Sequence, residues 1–584
     1  MEITNKAGKY YSAEENIQIV VSLLKANGIR RVFASPGTTN LTFVASLQQD
    51  PFFMVYSAPE ERSAAYMAVG MAAETGEPVV ITCTGATASR NYLPAMTEAF
   101  YRKLPILAVT ATQPRGLVGN LVPQVIDRSS LPVDTAVYSV HIGTIKDCDD
   151  RHFAEIKVNE ALHFLRRNGG GPVHINLETT YSKDFSVREL PSVRKIDYYQ
   201  YFDSLPELPS GKIGVFVGAH APMSEELTKA IDTFCAAHNS AVFCDHTSGY
   251  QGNFRVQFPL LNSQDNWSSP ASGLRLMVYI GEVSGSYSQP GSSEMWRVSP
   301  DGRIRDPYGN ITAVFEMREL DFFRQYAGSS NDKGIYYTEC LMAYNETLEN
   351  IPEVLPFSNI AVARSLHKDV PSNAVMHFGI LNSLRSWNFF TLPETVESFC
   401  NVGGFGIDGP LSTAIGGALA HPNHIHFLMV GDLAFFYDMN ALGNRHLPKN
   451  LRILLVNNGR GTEFTNYNHP AYTFGEDADV YLAAAGHYGH QSPELVRHYA
   501  QDLGFTYMSA SNIEEINDLK SRFLDPNIGA GRMLLEVFTD SENENEALYI
   551  MRHLRTGSAS LLMNTARKAL GKKGIEIVKK VLGI

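Results

Sequence analysis

Two apolar runs in the last third of the chain end in side-chain oxygens: Met429-Val-Gly-Asp-Leu433 and Leu454-Leu-Val-Asn-Asn-Gly459. Asp432 and Asn458 lie 26 residues apart. That interval suits a strand, a crossover helix and a second, parallel strand, with both strand tips on one edge of a sheet. A carboxylate and an amide oxygen converging there make a half-shell for a magnesium-type ion, open toward waters and a ligand's phosphates. The pattern predicts a metal-bridged diphosphate site. An Asp cap before a helix and an Asn-Asn-Gly turn explain the same residues as well, since both are common after strands.

The layout around this motif is that of an α/β protein. Ser12-Ala-Glu-Glu15 reads as a capping box for a helix with apolar positions at Ile17, Val20, Val21 and Leu24, ended by Gly28. A short strand from Arg31 turns at Ser35-Pro-Gly37, and strands follow over Phe52–Tyr56, Pro78–Cys83, Ile106–Thr110 and Gly171–Leu177. Helical segments separate them, which is the βαβ rhythm of doubly wound parallel sheets. A polar Pro- and Ser-rich stretch (186–210) reads as a linker. A second α/β region opens at Lys212-Ile-Gly-Val-Phe-Val-Gly218. Its Gly218-Ala-His-Ala-Pro222 turn has no GxGxxG, which weighs against a dinucleotide fold. A third region repeats the alternation of the first. The expected boundaries are 10–185, 206–350 and 358–545, with a tail over 546–584; 584 residues suffice for three or four such domains.

A formal charge of −12 and a pI near 5.9 oppose general nucleic-acid binding. Six scattered cysteines without a CxxC suggest reduced thiols and a cytoplasmic setting. The start, Met1-Glu-Ile-Thr-Asn, has no apolar leader, and no run of about 18 apolar residues could span a bilayer. In the tail, Arg567, Lys568, Lys572, Lys573, Lys579 and Lys580 flank an apolar stripe that includes Leu562, Leu570, Ile577 and Val581. Such a basic amphipathic helix suits peripheral contact with an anionic membrane, a partner subunit or the chain's own core.

Taken with Pro59-Glu-Glu61-Arg-Ser63 at a helix start and Cys83-Thr-Gly85 at the next strand tip, the Gly-Asp and Asn-Asn motifs resemble those of thiamine diphosphate enzymes. The likeness is nearest to the menaquinone-pathway synthases that add a succinyl-semialdehyde unit to isochorismate. It runs from about residue 12 to 465 through Gln124-Val-Ile-Asp127, Gly171-Pro-Val-His-Ile-Asn176, Asn382-Ser-Leu384, Gly406-Ile-Asp-Gly409 and Tyr437-Asp-Met-Asn440. The resemblance implies three domains: pyrimidine-binding, central and diphosphate-binding. It implies thiamine diphosphate and Mg2+ as cofactors, and a homodimer or dimer of dimers (a homotetramer) in which Glu61 of one subunit meets Asp432 of another.

It also implies residue roles. A carboxyl at Glu61, hydrogen-bonded to N1′ of the aminopyrimidine, favours the imino tautomer whose N4′ takes the proton from the thiazolium C2. The bland reading is that Glu61 serves the helix dipole, and Glu60 beside it invites misassignment. Asp432, Asn458 and the Arg460 carbonyl would hold the metal. Gly431 and the amides of Leu433 and Ala434 would meet the diphosphate, with Asn382, Ser383, Gly406 and Thr462 also on the cofactor. Ile407 would prop it into a V, although an isoleucine there also suits ordinary core.

The arginines of the synthase branch are mostly replaced. Its Ser-Arg after the Ser-Pro-Gly turn is Thr38-Thr39 here, its Asp-Arg-Pro is Thr112-Gln113-Pro114, and its Asn-Arg-Gly is Asn401-Val402-Gly403; a further arginine falls at Trp387, with Arg385 nearby. Threonine, valine and tryptophan cannot imitate a bidentate Arg–carboxylate pair. The expected substrates are therefore a small, pyruvate-like 2-oxo acid donor and a carbonyl acceptor, met by Thr38, Thr39, Asn40, Gln113 and Gln124. Glu463, Asn466 and His469 follow the metal motif in a segment expected to overhang the cofactor. Simple decarboxylation without ligation, or a non-catalytic scaffold on the same fold, are the rival readings.

Overall fold

The computed structural model describes residues 9–286, 289–328, 335–486 and 492–555, and the chain forms three parallel sheets with interleaved helices. It divides into two compact units, residues 1–204 with 301–316, and residues 205–300 with 317–584. Residues 556–584 of the expected tail lie outside the described residues. A helix, Ser541–Arg552, runs across residue 546, where that tail was expected to begin.

In the first unit, strands β1 (Arg31–Ala34), β2 (Met54–Ser57), β3 (Val79–Cys83), β4 (Ile106–Thr112), β5 (Tyr138–Ile142) and β6 (Val173–Glu178) form a sheet in the order β2-β1-β3-β4-β6-β5. β3 and β4 are buried along their whole length, as expected of strands covered on both faces. The helix before β1 spans Glu15–Ala26, and its Ile17, Val20, Val21 and Leu24 are all buried. The capping box does not form: the N-cap is Glu14, without a side-chain cap bond, and Ser12 Oγ accepts only from Glu14 N (3.2 Å). The Glu15 carboxylate, which the box would turn back to the Ser12 amide, is instead held by Arg151, and Ser12 N donates to Ser46 Oγ (3.0 Å); Glu14 accepts from Thr179 Oγ1, Thr180 N and Ser182 N just beyond β6.

The expected linker over 186–210 contains ordered structure. Val187 bridges Tyr11, and β7 (Asp197–Gln200) pairs parallel with β13 (Ile311–Glu316). The physical reason lies on the helix Cys148–Phe164, where the buried Asn159 side chain donates to Arg194 O (2.9 Å) and accepts from Ile196 N (2.9 Å). It thereby satisfies the backbone of the segment that enters β7.

The second unit holds β8 (Ile213–Val217), β9 (Ala241–Cys244), β10 (Arg255–Gln257), β11 (Leu274–Ile280) and β12 (Ser292–Val298), ordered β10-β9-β8-β11-β12. It also holds a six-stranded sheet of β14 (Val375–Phe378), β15 (Glu397–Cys400), β16 (His426–Gly431), β17 (Leu451–Asn457), β18 (Thr506–Ala510) and β19 (Met533–Phe538). The order of that sheet, β15-β14-β16-β17-β19-β18, repeats the first sheet strand for strand. Leu428, Val430, Ile453, Leu455 and Leu534 pack one of its faces against Leu411, Ala414 and Phe435.

In both six-stranded sheets the order reverses at one place, between β1 and β3 and between β14 and β16. Open α/β sheets bind ligands at the carboxyl ends of strands flanking such a reversal. The motifs Ser35-Pro-Gly37, Cys83-Thr-Gly85 and Gly431-Asp432 all sit there.

Gly218 shows what its turn is for. A Cβ at this position would lie 1.9 Å from the backbone oxygen of Glu282, so the glycine permits two backbone segments to touch. Gly218→Ala is expected to lower stability by about 1–3 kcal/mol, read as a lower urea midpoint; an unchanged midpoint would contradict this packing account.

Candidate active site

Asp432 and Asn458 come together as their spacing suggested. β16 and β17 run parallel with Gly431 opposite Val456, so Asp432 and Asn458 stand just past adjacent strand tips. Asp432 is buried at 5% exposure, and its carboxylate accepts from Leu433 N (2.8 Å) and Gly459 N (2.5 Å). The Leu433 amide, expected on a diphosphate, here donates to the aspartate itself. Gly459 takes a φ of +74°, which suits the residue type there.

A cavity of about 120 Å3 opens at these tips. Of the expected cofactor and metal residues, Asn382, Ser383, Ile407, Gly431, Asp432, Leu433, Ala434, Asn458, Arg460 and Thr462 line it; Gly406 is not among them. Ile407 is half-buried beside the core of the third sheet, and a Cβ at Gly406 would meet Asp408 Oδ1 at 2.6 Å. The Arg460 side chain turns to Asp479 (2.6 and 2.8 Å), and its carbonyl accepts from Thr462 N (2.9 Å) while keeping a second lone pair.

Two atoms test whether a metal and a diphosphate fit. Asn458 Oδ1 and Thr462 Oγ1 are buried and have no hydrogen-bond partner among the described residues. Leaving such groups unsatisfied costs about 1–3 kcal/mol each. An oxygen acceptor beside one carboxylate and a carbonyl suits a magnesium-type ion, whose shell is completed by ligand oxygens and water. The residues present fit the group.

Sequence reasoning missed three contributors, Leu381, Asn359 and Glu544. Leu381 lines the cavity at φ +67°, ψ −123°, a strained conformation of the kind that concentrates at functional sites. Glu463, named from the sequence as part of the overhanging segment, also lines it and grips Arg385 in a bidentate pair (2.9 and 3.0 Å). Asn359 and Glu544 close another side. Glu544 sits in the acidic run Ser541–Glu546, which reads as a solvated helix face, yet it is buried. It accepts from Asn359 N (2.9 Å) and Thr539 Oγ1 (2.8 Å). His469 caps a turn by accepting from Ala471 N (3.1 Å) and does not line the cavity. Asn466 donates toward Asn382 Oδ1 (3.4 Å) and Glu463 Oε2 (3.3 Å).

The first unit holds the other expected residues. The helix after β2 begins at Glu61, and Glu60 is its N-cap, accepting from Arg62 N (3.3 Å) and Ser63 N (2.7 Å). The two glutamates are thus physically distinct. Glu60 is exposed and spent on the cap, whereas Glu61 is half-buried and receives a hydrogen bond from Asn91 Nδ2 (3.1 Å). Thr38 and Gln124 are exposed, Gln113 is half-buried and Thr39 is buried. Asn40 is fully buried and braces the turn, accepting from Gly37 N (2.8 Å) and donating to Ser35 O (3.2 Å).

With that geometry in place, residues 16–131 match the family model described as thiamine pyrophosphate enzyme, N-terminal TPP binding domain. The chain belongs to the thiamine pyrophosphate (thiamine diphosphate) enzymes. Its relatives include the 2-succinyl-5-enolpyruvyl-6-hydroxy-3-cyclohexene-1-carboxylate synthases of Phocaeicola vulgatus and Bacteroides thetaiotaomicron, each 30% identical over 92% of this chain and 98% of the relative. The synthase of that name from Porphyromonas gingivalis is 25% identical over 91% of this chain and 95% of its own length.

Burial pushes the Glu544 carboxyl up to about 7, with Asp540 and Asp432 adding to the rise. A carboxyl raised on folding supports the fold while protonated and loses that support as pH climbs through the folded value. Wild-type stability is therefore expected to fall relative to Glu544→Gln between about pH 4.5 and 7, by on the order of 3 kcal/mol. Melting curves of the two proteins across that range check this; parallel curves would contradict it.

Proposed function

We propose that this enzyme decarboxylates a small, pyruvate-like 2-oxo acid and transfers the resulting acyl-anion unit to an acceptor carbonyl. Bound thiamine diphosphate would supply the nucleophilic thiazolium carbon and the electron sink for decarboxylation. Asp432, Asn458 and the Arg460 carbonyl would hold the Mg2+, and Gly431, Ala434, Asn382, Ser383 and Thr462 the diphosphate end. Gly406 would let the backbone approach the ring, and Ile407 would hold it bent. Glu61 would hold a proton at N1′ of the pyrimidine, steadied by Asn91.

The observation that supports a small donor most is the pairing of Arg385. The succinyl group in the relatives' name belongs to those proteins. In this chain, the cationic side chain nearest in sequence to a missing arginine is already held by Glu463. A second carboxylate on the donor would compete with that pair. Thr38, Thr39, Gln113 and Gln124 offer hydroxyl and amide contacts in place of guanidinium groups, which suits an uncharged, hydroxylated acceptor.

The assembly would be a homodimer or dimer of dimers, as the family resemblance implies. A cytoplasmic location agrees with six free cysteines and with the lack, among the described residues, of a helix long and apolar enough to cross a membrane. The tail would supply any peripheral membrane contact.

Glu61→Gln is expected to slow exchange of the cofactor's C2 proton by about 10²–10⁴-fold while leaving cofactor binding in place. Exchange at the wild-type rate would remove Glu61 from this role. Product analysis with pyruvate and with 2-oxoglutarate, each with and without an aldehyde acceptor, tests the substrates. A ligated product from pyruvate is expected; free aldehyde alone identifies a simple decarboxylase, and preference for 2-oxoglutarate overturns the small-donor reading.

A further inference from the structure

Arg128 is a buried cation without a counter-charge. It is 4% exposed, and its Nη2 donates to Ala111 O (3.0 Å). Its Nε and Nη1 are buried and meet no hydrogen-bond acceptor among the described residues. No described carboxylate pairs with it. Arg90, which also lines the cavity, is exposed; it donates to the backbone oxygen of Asp127 (3.1 Å) and lies within electrostatic reach of the Asp127 carboxylate.

The cavity these two arginines share has a volume of about 20 Å3 and is lined also by Tyr92, Thr110, Thr135 and His174, with no acidic residue. The Asp127 carboxylate faces Arg90 and Arg115, not Arg128, and accepts from Ser129 N (2.8 Å). Burial pushes the Cys83 thiol up to about 12, so it is neutral. His174 is neutral as well, with Thr110 Oγ1 (2.7 Å) and Ser139 Oγ (2.9 Å) on its two ring nitrogens. A water would satisfy donors but not charge, and an uncompensated buried cation is strongly unfavourable. A single monatomic ion matches the volume, because about 10–15 Å3 already holds one water-sized species.

We infer that the cavity beneath the helix Ala86–Asn91 is a binding site for one small halide-type anion, chloride under ordinary conditions, held by Arg128 and Arg90. The site has a structural consequence for its surroundings. The same short helix carries Ser89 and Arg90 on the cavity and Asn91 on Glu61. Filling the cavity would therefore fix the segment that presents Asn91. This inference is independent of the identity of the donor and acceptor.

The test uses the full-length protein in gluconate buffer, titrated with chloride or bromide at constant ionic strength. Either halide is expected to raise the melting temperature saturably, by about 2–4 °C, and Arg128→Met is expected to abolish that response. Bromide-soaked crystals are expected to show an anomalous peak beside the Arg128 guanidinium. A melting temperature indifferent to halide, an undiminished response in Arg128→Met, or a crystal showing water or a carboxylate of a second copy at Arg128 would each overturn the site. Should the variant fail to fold, the anomalous map of the wild-type crystal decides.

Discussion

The Asp432 carboxylate ties two strand tips together. It accepts from Leu433 N after β16 and from Gly459 N after β17, and so fixes the turn that presents Asn458. With both carboxylate oxygens already receiving N–H bonds, the aspartate is held rigid and buried before any ligand arrives. Asn458 Oδ1 beside it is left without a partner. Among the described residues the fold thus retains an unsatisfied acceptor where the proposed cation would sit, a local cost of the kind that functional sites impose on stability.

That arrangement is possible because of topology. Two sheets of identical strand order each place a reversal at the carboxyl ends of their first and third strands. One reversal carries Asp432, and the other carries Ser35-Pro-Gly37 and Cys83-Thr-Gly85 near the helix of Glu61. In the proposed function the same architectural device would serve a metal-and-phosphate end in one sheet and a carboxyl group in the other. The proposed preference for a small donor rests on electrostatics. The synthase-type arginines are replaced at several positions, and Arg385 is neutralised by Glu463 at 2.9 Å.

Much of this was legible in the sequence because strand tips are written in short, ordered motifs. The apolar run Leu454-Leu-Val followed by Asn-Asn-Gly could only be a buried strand and a turn, and the parallel sheets and the Asp432–Asn458 convergence followed. Contacts between distant segments were not legible. Glu544 looks like one more surface acid in Ser541–Glu546 until the fold buries it against Asn359, 185 residues away in sequence. Ser12 satisfied the capping-box pattern, but the pattern cannot show that the distant Arg151 would draw Glu15 away. The bracing of the Ser35-Pro-Gly37 turn by Asn40 likewise depends on three-dimensional proximity.

The account's central claim is that the β16 and β17 tips form a metal-dependent diphosphate site. Isothermal calorimetry of the purified protein with thiamine diphosphate tests it most directly, with and without Mg2+ and in Asp432→Ala. The account predicts saturable binding at one site per chain with Mg2+, and a loss of at least about 100-fold in affinity, some 2.7 kcal/mol, when either the ion or the carboxylate is removed. Binding of equal strength without Mg2+ and in Asp432→Ala, or no binding under any of these conditions, would contradict it.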